Sequence, residues 1–371
     1  MNISILFIIF IIGISYGSHA PLVPVFAREE INANYIEVGE IGMVNYLPYL
    51  FVPILVGLLL DRFNKSAILS IGITISTLSI FLLSFASNVI DMMVIRAFAG
   101  LAHAFIWPAA TSIVSETNSR SVKSISRFTM FWVGGYMIGP IIGSLLFESF
   151  GFRALFQYTS LFMIIALLLS SILIKKVKNI TNGREDSIRD ILIMFHDNLR
   201  VHILIIYYSA AFGITLSILP AYMKEHGINE QEIGLLFFIF GLARLLTLLF
   251  TDKLASSSSK ILIIAILSIS FAMLILYSMI EFTLFMLAVT MLGFSFSIYF
   301  PLTLNLITKD VPNEMIGRYI GAYETVFGLG WAIAPFIAGI LSDIFTSNTP
   351  YLIMFVIGLF MPLMMLRFNS K

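Results

Sequence analysis

Long apolar runs separated by short polar connections dominate the chain. Twelve such runs, each roughly 17 to 26 residues, are long enough to cross a bilayer as helices. They fall at 3–27, 38–60, 67–87, 90–114, 124–147, 154–174, 202–223, 231–250, 261–280, 283–308, 319–342 and 350–367. Runs of this length must satisfy their backbone hydrogen bonds internally, so helices are expected rather than strands. The first run has no basic residue before it, and its first charge is Arg28, so it reads as a full span rather than a signal peptide. The expected fold is an all-α polytopic membrane protein.

The polar positions set an orientation. Seventeen of the 22 Lys and Arg residues fall in one set of loops and tails, and only Arg28, Arg153 and Lys224 fall in the other. By the positive-inside rule both termini are expected in the cytoplasm, in the cell membrane. The longest polar connection, 175–201, divides the chain into six spans at 1–174 and six at 202–371. Part of it, from Ser187 to Leu199, has a weak helical period and is either a surface helix or a solvated linker.

The halves repeat. "GLAHAFIWP" at 100–108 matches "GFSFSIYFP" at 293–301, and "GGYMIGPIIG" at 134–143 matches "LGWAIAPFIA" at 329–338. "EIG" at 40–42 matches 232–234, and "VPVFAR" at 23–28 matches "LPAYMK" at 219–224. The offsets, 193, 195, 192 and 196, are nearly constant. Two parallel six-helix repeats around a cleft form a transporter architecture.

Composition narrows the chemistry. The chain is 59% hydrophobic and 12% charged, half the charge of a soluble domain, and has no cysteine. Disulfides and Cys-ligated metals are therefore excluded. There is no nucleophile elbow, the G-x-S-x-G of Gly13–Gly17 lying inside the first apolar run, and no H-E-x-x-H or P-loop, so no enzyme activity, cofactor or metal is expected. The basic loops are explained by topology rather than nucleic acid. The expected partners are a small-molecule solute and the lipid bilayer, with the chain a monomer.

An ionisable side chain inside a span costs about 2.5–3.5 kcal/mol, so each is a functional candidate. Arg96, His103, Arg244 and Glu324 qualify, with His19 nearer the outer end of the first span. Arg96, Gly100, His103 and Trp107 share one helical face, expected to line the cavity, with Arg96 and His103 in coupling or anion binding. The alternative for Arg96 is a structural pair with Asp91. Tyr16, with Ser15, shares a face with His19 and offers hydroxyl groups beside an imidazole. Arg244 and Glu324 lie at similar depth and are expected to pair, either as a proton-sensitive contact or as a static one. Gly135, Gly139 and Gly143 form a stripe beside Pro140, echoed by Pro335, suited to tight packing or to a surface on which the halves rock.

Four motifs carry a resemblance. "GLLLDRFNK" at 57–65, "RAFAG" at 96–100, "GYMIGPIIG" at 135–143 and "GFRALF" at 151–156 resemble signatures of the major facilitator superfamily. The third resembles the Gly-Pro motif of many antiporters, with Ser126 and Ser144 where that motif often has glycine. The resemblance implies alternating access, with proton-coupled efflux of a small organic solute as the leading expectation and the proton gradient as driving force. An importer or facilitator of an organic anion or sugar, and a non-transporting sensor, are the alternatives. It also implies a cytoplasmic latch: Gly57 for close approach, Asp61 facing the start of span eleven near Arg318, and Arg62 or Lys65 pairing with Glu116. Asn64 stands where the family has glycine at a turn, and is expected to supply a left-handed residue there.

Overall fold

The structure is a computed structural model that describes residues 3–117, 122–174, 199–254, 258–278, 281–309, 311 and 316–365. Every regular element among them is helical. The first four membrane helices are α1 (Ser4–Glu29), α2 (Tyr35–Leu60), α3 (Lys65–Leu83) and α4 (Val89–Thr117). A helical stretch Val122–Ile174 follows, broken at Gly151, whose φ of 76° and ψ of 178° are non-helical. The break gives α5 (122–150) and α6 (152–174). A side chain at Gly151 would meet nothing within 4 Å, so backbone conformation rather than space calls for glycine there. Then come α7 (Leu199–Ser217), α8 (Glu230–Leu248), α9 (Ser258–Ser278), α10 (Phe282–Thr308), α11 (Ile316–Ile344) and α12 (Thr349–Met365). The twelve apolar runs thus become twelve helices. Leu78, Phe98, Leu168 and Phe360 are among many large apolar side chains that stand outward, as a lipid-facing surface requires.

Local chemistry sets the helix ends. Asn34 and Asn229 each accept the backbone N–H three residues on, and Glu37 and Glu232 bond back, so α2 and α8 start on matching capping boxes. Asn64 corrects an expectation: its φ is −63°, and its side chain accepts from the N–H groups of Ser66 and Ala67. It caps α3 rather than supplying a left-handed turn, because the orphan donors of a helix start need an acceptor.

Glycines fix the packing. A Cβ at Gly135, Gly139 or Gly143 of α5 would stand 2.0 Å from Phe10 O, 2.6 Å from the Gly17 backbone or 1.9 Å from Ser18 O. All three targets lie on α1, so the stripe joins two helices of the same half and is not a surface between halves. Gly100 on α4 meets Asn45 O of α2 at 1.7 Å, and its repeat partner Gly293 on α10 meets Phe240 O of α8 at 2.6 Å.

Contacts between the first six and last six helices use other glycines. Gly39 of α2 meets Pro335 O of α11 at 2.6 Å, and Gly234 of α8 meets Pro140 O of α5 at 3.0 Å. Gly321 meets Pro53 O at 2.6 Å, and Gly241 meets Met137 at 2.7 Å. The two seams, α2 with α11 and α5 with α8, are the same contact made twice. They also set the repeat register: Gly39 with Gly234, Pro140 with Pro335 and Asn34 with Asn229 are all separated by 195 residues. The match of "EIG" at 192 is therefore slipped by three residues, nearly one helical turn.

Several expected features fall elsewhere. The connection 175–198, including most of the 187–199 segment, lies outside the described residues, as do the side chains of Asp61, Arg62, Glu116 and Arg318. Of the remaining latch residues, Gly57 is buried, and Lys65 Nζ donates to Ser112 Oγ of α4 at 2.8 Å.

Candidate functional site

A cavity of about 100 Å³ lies among helices of both halves. Six of the seven residues expected to bind or couple line it: Tyr16, Arg96, His103, Trp107, Arg244 and Glu324. The rest of the wall is mostly aromatic, notably Tyr46, Tyr49, Trp132, Tyr136, Tyr208, Phe212, Phe327 and Trp331.

The seventh, His19, is buried, but it lies outside this lining. Its Nδ1 donates to the Ser15 carbonyl at 2.7 Å, which turns the ring onto its own helix. The shared face of Ser15, Tyr16 and His19 therefore splits. Ser15 Oγ donates to Thr159 O of α6 at 2.9 Å, while the Tyr16 hydroxyl lies 2.7 Å from Ser76 Oγ of α3. Two neighbouring helices and the backbone of α1 itself draw these polar groups apart, and of the three only the Tyr16 ring reaches the cavity.

On α4, Arg96 is buried and its guanidinium meets Asn45 of α2. With the Asn45 amide oriented to match its neighbours, Asn45 accepts from Arg96 Nη2 and donates to the Arg96 carbonyl, both at 3.2 Å. Asp91 takes no part. It accepts from the N–H and hydroxyl of Ser87 at 3.0 and 2.8 Å, so the Arg96–Asp91 pair does not form. Two and three turns further, His103 packs edge-on against Tyr16 with ring centroids 4.6 Å apart, and Trp107 meets Trp132 at 4.5 Å. Both ring nitrogens of His103 are buried without a hydrogen-bond partner among the described residues. A buried imidazole in that state has hydrogen-bonding capacity open to a ligand.

The opposite wall belongs to the second half. The Arg244 guanidinium lies 5.4 Å from the ring centroids of both Phe212 and Phe240, a cation–π arrangement. Its Nε and Nη1 have no hydrogen-bond partner among the described residues. Glu324 is buried and is the single acidic side chain of the lining. The expected Arg244–Glu324 pair is absent: no ion pair joins them among the described residues, because the guanidinium is turned onto the two phenyl rings. Trp331 closes the wall across the halves, stacked on Tyr46 with centroids 3.9 Å apart and planes at 15°. Phe327 and Phe212 pack its sides at 4.9 and 5.2 Å.

The aromatic wall carried a signal that the charged candidates overshadow. Phe128, Trp132 and Tyr136 follow at intervals of four on α5, and Phe327 and Trp331 do so on α11. Trp132 and Phe327, and Tyr136 and Trp331, are each 195 residues apart, the register of the repeat. Chemically, the cavity offers flat apolar faces, two guanidiniums with free donors, an imidazole and one carboxylate.

Comparison with known proteins agrees with this picture. The profile of the Major Facilitator Superfamily matches residues 5–335 and 201–371. The chain is 23% identical over 363 residues to the quinolone resistance protein NorA of Staphylococcus aureus, covering 93% of this chain and 91% of that one. It is 26% identical over 343 residues to the multidrug efflux protein YfmO of Bacillus subtilis, covering 89% and 83%. Among solved structures, a point mutant of the nucleoside transporter NupG superposes with a TM-score of 0.80 at 13% identity, covering 99% of both chains.

Proposed function

The chain belongs to the Major Facilitator Superfamily and is a multi-pass membrane transporter rather than an enzyme, and we propose that it exports a small aromatic organic solute in exchange for protons. The two six-helix bundles, 1–174 and 202–371, rock about the central cavity, with both termini in the cytoplasm and no cofactor. The proton gradient supplies the drive. One observation supports this reading: Glu324 is the single carboxylate of a cavity walled mostly by aromatic rings, and it is buried there. Efflux proteins among the relatives support the direction. Flat apolar faces accept many ring systems at modest specificity. A solute that competes with the proton for the Glu324 carboxylate is bound on one side and displaced on the other.

Glu324→Gln tests it. In inverted vesicles the variant is expected to lose proton-driven dye transport while keeping dye counterflow. Undiminished gradient-driven transport would overturn the reading.

A second reading rests on Arg96 and Arg244, two cations against one acid in the same lining. They suit an organic anion, and linkage then reverses the sign of coupling. An anion held by guanidiniums binds better when Glu324 is protonated, so solute and proton travel together. Counterflow of carboxylates against cationic dyes, at two pH values, separates exchange from co-transport.

A further inference from the structure

A buried charge ordinarily pairs with an opposite one. The two guanidiniums of the cavity do not. Arg96 meets the amide of Asn45, and Arg244 lies over the rings of Phe212 and Phe240. Among the described residues no ion pair reaches either arginine, and Glu324 is the single acid of the lining. Both cations are therefore held by neutral groups.

Two of those neutral groups hold the same place in the repeat. Asn45 on α2 and Phe240 on α8 are 195 residues apart. Each also offers its backbone carbonyl to a glycine: a Cβ at Gly100 would stand 1.7 Å from Asn45 O, and one at Gly293 would stand 2.6 Å from Phe240 O. Gly100 lies one turn from Arg96, so the close approach of α2 to α4 also brings the fully buried Asn45 amide to the guanidinium. The amide uses both its ends. It accepts from Arg96 Nη2 and donates to the Arg96 carbonyl, each at 3.2 Å. An aspartate there would set an acceptor against that carbonyl and cancel the cation, whereas asparagine fits both partners and leaves the charge standing. Arg96 Nε is buried with no hydrogen-bond partner among the described residues, so donor capacity remains. The next residue on α2, Tyr46, carries the ring stacked on Trp331, so the cation and a flat aromatic face come from neighbouring positions.

We infer that Asn45 is a positioning residue that fixes Arg96 as an uncompensated cation, and that the cavity thereby selects solutes carrying a carboxylate on an aromatic ring. The carboxylate takes the open guanidinium donors, and the ring lies on the aromatic wall. Asn45 touches no solute itself; it acts through the orientation and the charge of Arg96. The inference deepens the second reading above and rests on it, but not on Glu324 or on the direction of transport.

All three tryptophans of the chain, Trp107, Trp132 and Trp331, line the cavity, so their fluorescence reads binding in the detergent-purified protein without any transport assay. The probes are phenylacetate and the neutral phenethyl alcohol, which share a ring and differ in charge. The parent is expected to bind phenylacetate more tightly. Asn45→Asp sets an acid beside the guanidinium and is expected to weaken phenylacetate about tenfold, with phenethyl alcohol unchanged. Asn45→Leu keeps the volume but frees the guanidinium, and is expected to weaken phenylacetate about threefold, again with the alcohol unchanged. Arg96→Gln is expected to abolish the preference, and adding Asn45→Leu to it is expected to change nothing more. Thermal unfolding checks each variant, and either Asn45 variant suffices if the other does not fold. A parent without preference overturns the inference together with the anionic reading. A preference that survives the Asn45 substitutions, or a loss shared equally by both probes, overturns the role of Asn45 and leaves the anionic reading standing.

Discussion

The first-half wall of the cavity presents Arg96, His103 and Trp107 from α4 with Trp132 and Tyr136 from α5, whereas the second-half wall presents Arg244 from α8 with Glu324, Phe327 and Trp331 from α11. At the repeat separation of 195 residues the aromatic positions correspond, Trp132 with Phe327 and Tyr136 with Trp331. The charges do not. Glu324 corresponds to Thr129 and Arg244 to Tyr49, and Arg96 faces Val289 at the separation of 193 that relates Gly100 to Gly293. Packing is duplicated because both halves must bring backbones equally close. Cavity chemistry is single because a solute held in one shared cavity needs only one set of charges.

The packing side of the comparison breaks first. Gly100→Ala drives a methyl into Asn45 O, 1.7 Å away, and should cost about 3 kcal/mol or more. Thermal unfolding of the detergent-purified protein should show the drop, with a smaller one for Gly293→Ala, where the clash is 2.6 Å. Equal tolerance at both sites would dissolve the equivalence. The chemical side breaks next. Glu324→Gln should lower gradient-driven transport about 100-fold at unchanged protein level, the scale of losing an essential proton carrier. Thr129→Glu in that background should not restore it, and restoration would make the halves interchangeable. Trp331→Ala removes the ring stacked on Tyr46 and should weaken solute binding about tenfold, read as a rise in the half-saturating dye concentration. The smallest effect concerns the cap. Asn64→Ala should destabilise by about 1 kcal/mol, and Asn64→Gly by only a few tenths. A stabilising Asn64→Gly would instead favour the left-handed turn that φ of −63° argues against.

Much of the fold was legible along the chain. Twelve apolar runs read as twelve helices because length against bilayer thickness is a one-dimensional property. The break at Gly151 and the capping boxes at Asn34 and Asn229 also depend on neighbours in sequence. Of the candidate site, helical spacing placed Arg96, His103 and Trp107 on one face, and all three line the cavity. Spacing within one helix failed wherever the answer depended on a second helix. It grouped Ser15 with Tyr16 and His19, which α6, α3 and their own helix draw in different directions. It left the Gly135 stripe open between tight packing and a surface between the halves, and the α1 backbone lying against the stripe decides for packing.

The sequence by itself determined the number of spans, the duplication and the residue types available to a cavity. Each follows from hydropathy, length and self-similarity, which the covalent chain carries. Only the tertiary structure decided which groups meet. Arg244 turns to Phe212 and Phe240 rather than to Glu324, Asn45 holds Arg96 in place of Asp91, and Lys224 reaches across to Glu29. Similar depth in the membrane puts two side chains in one layer, but rotation of the helices about their axes and the rotamers of long side chains choose their partners. Those angles are set by the packing of many helices at once.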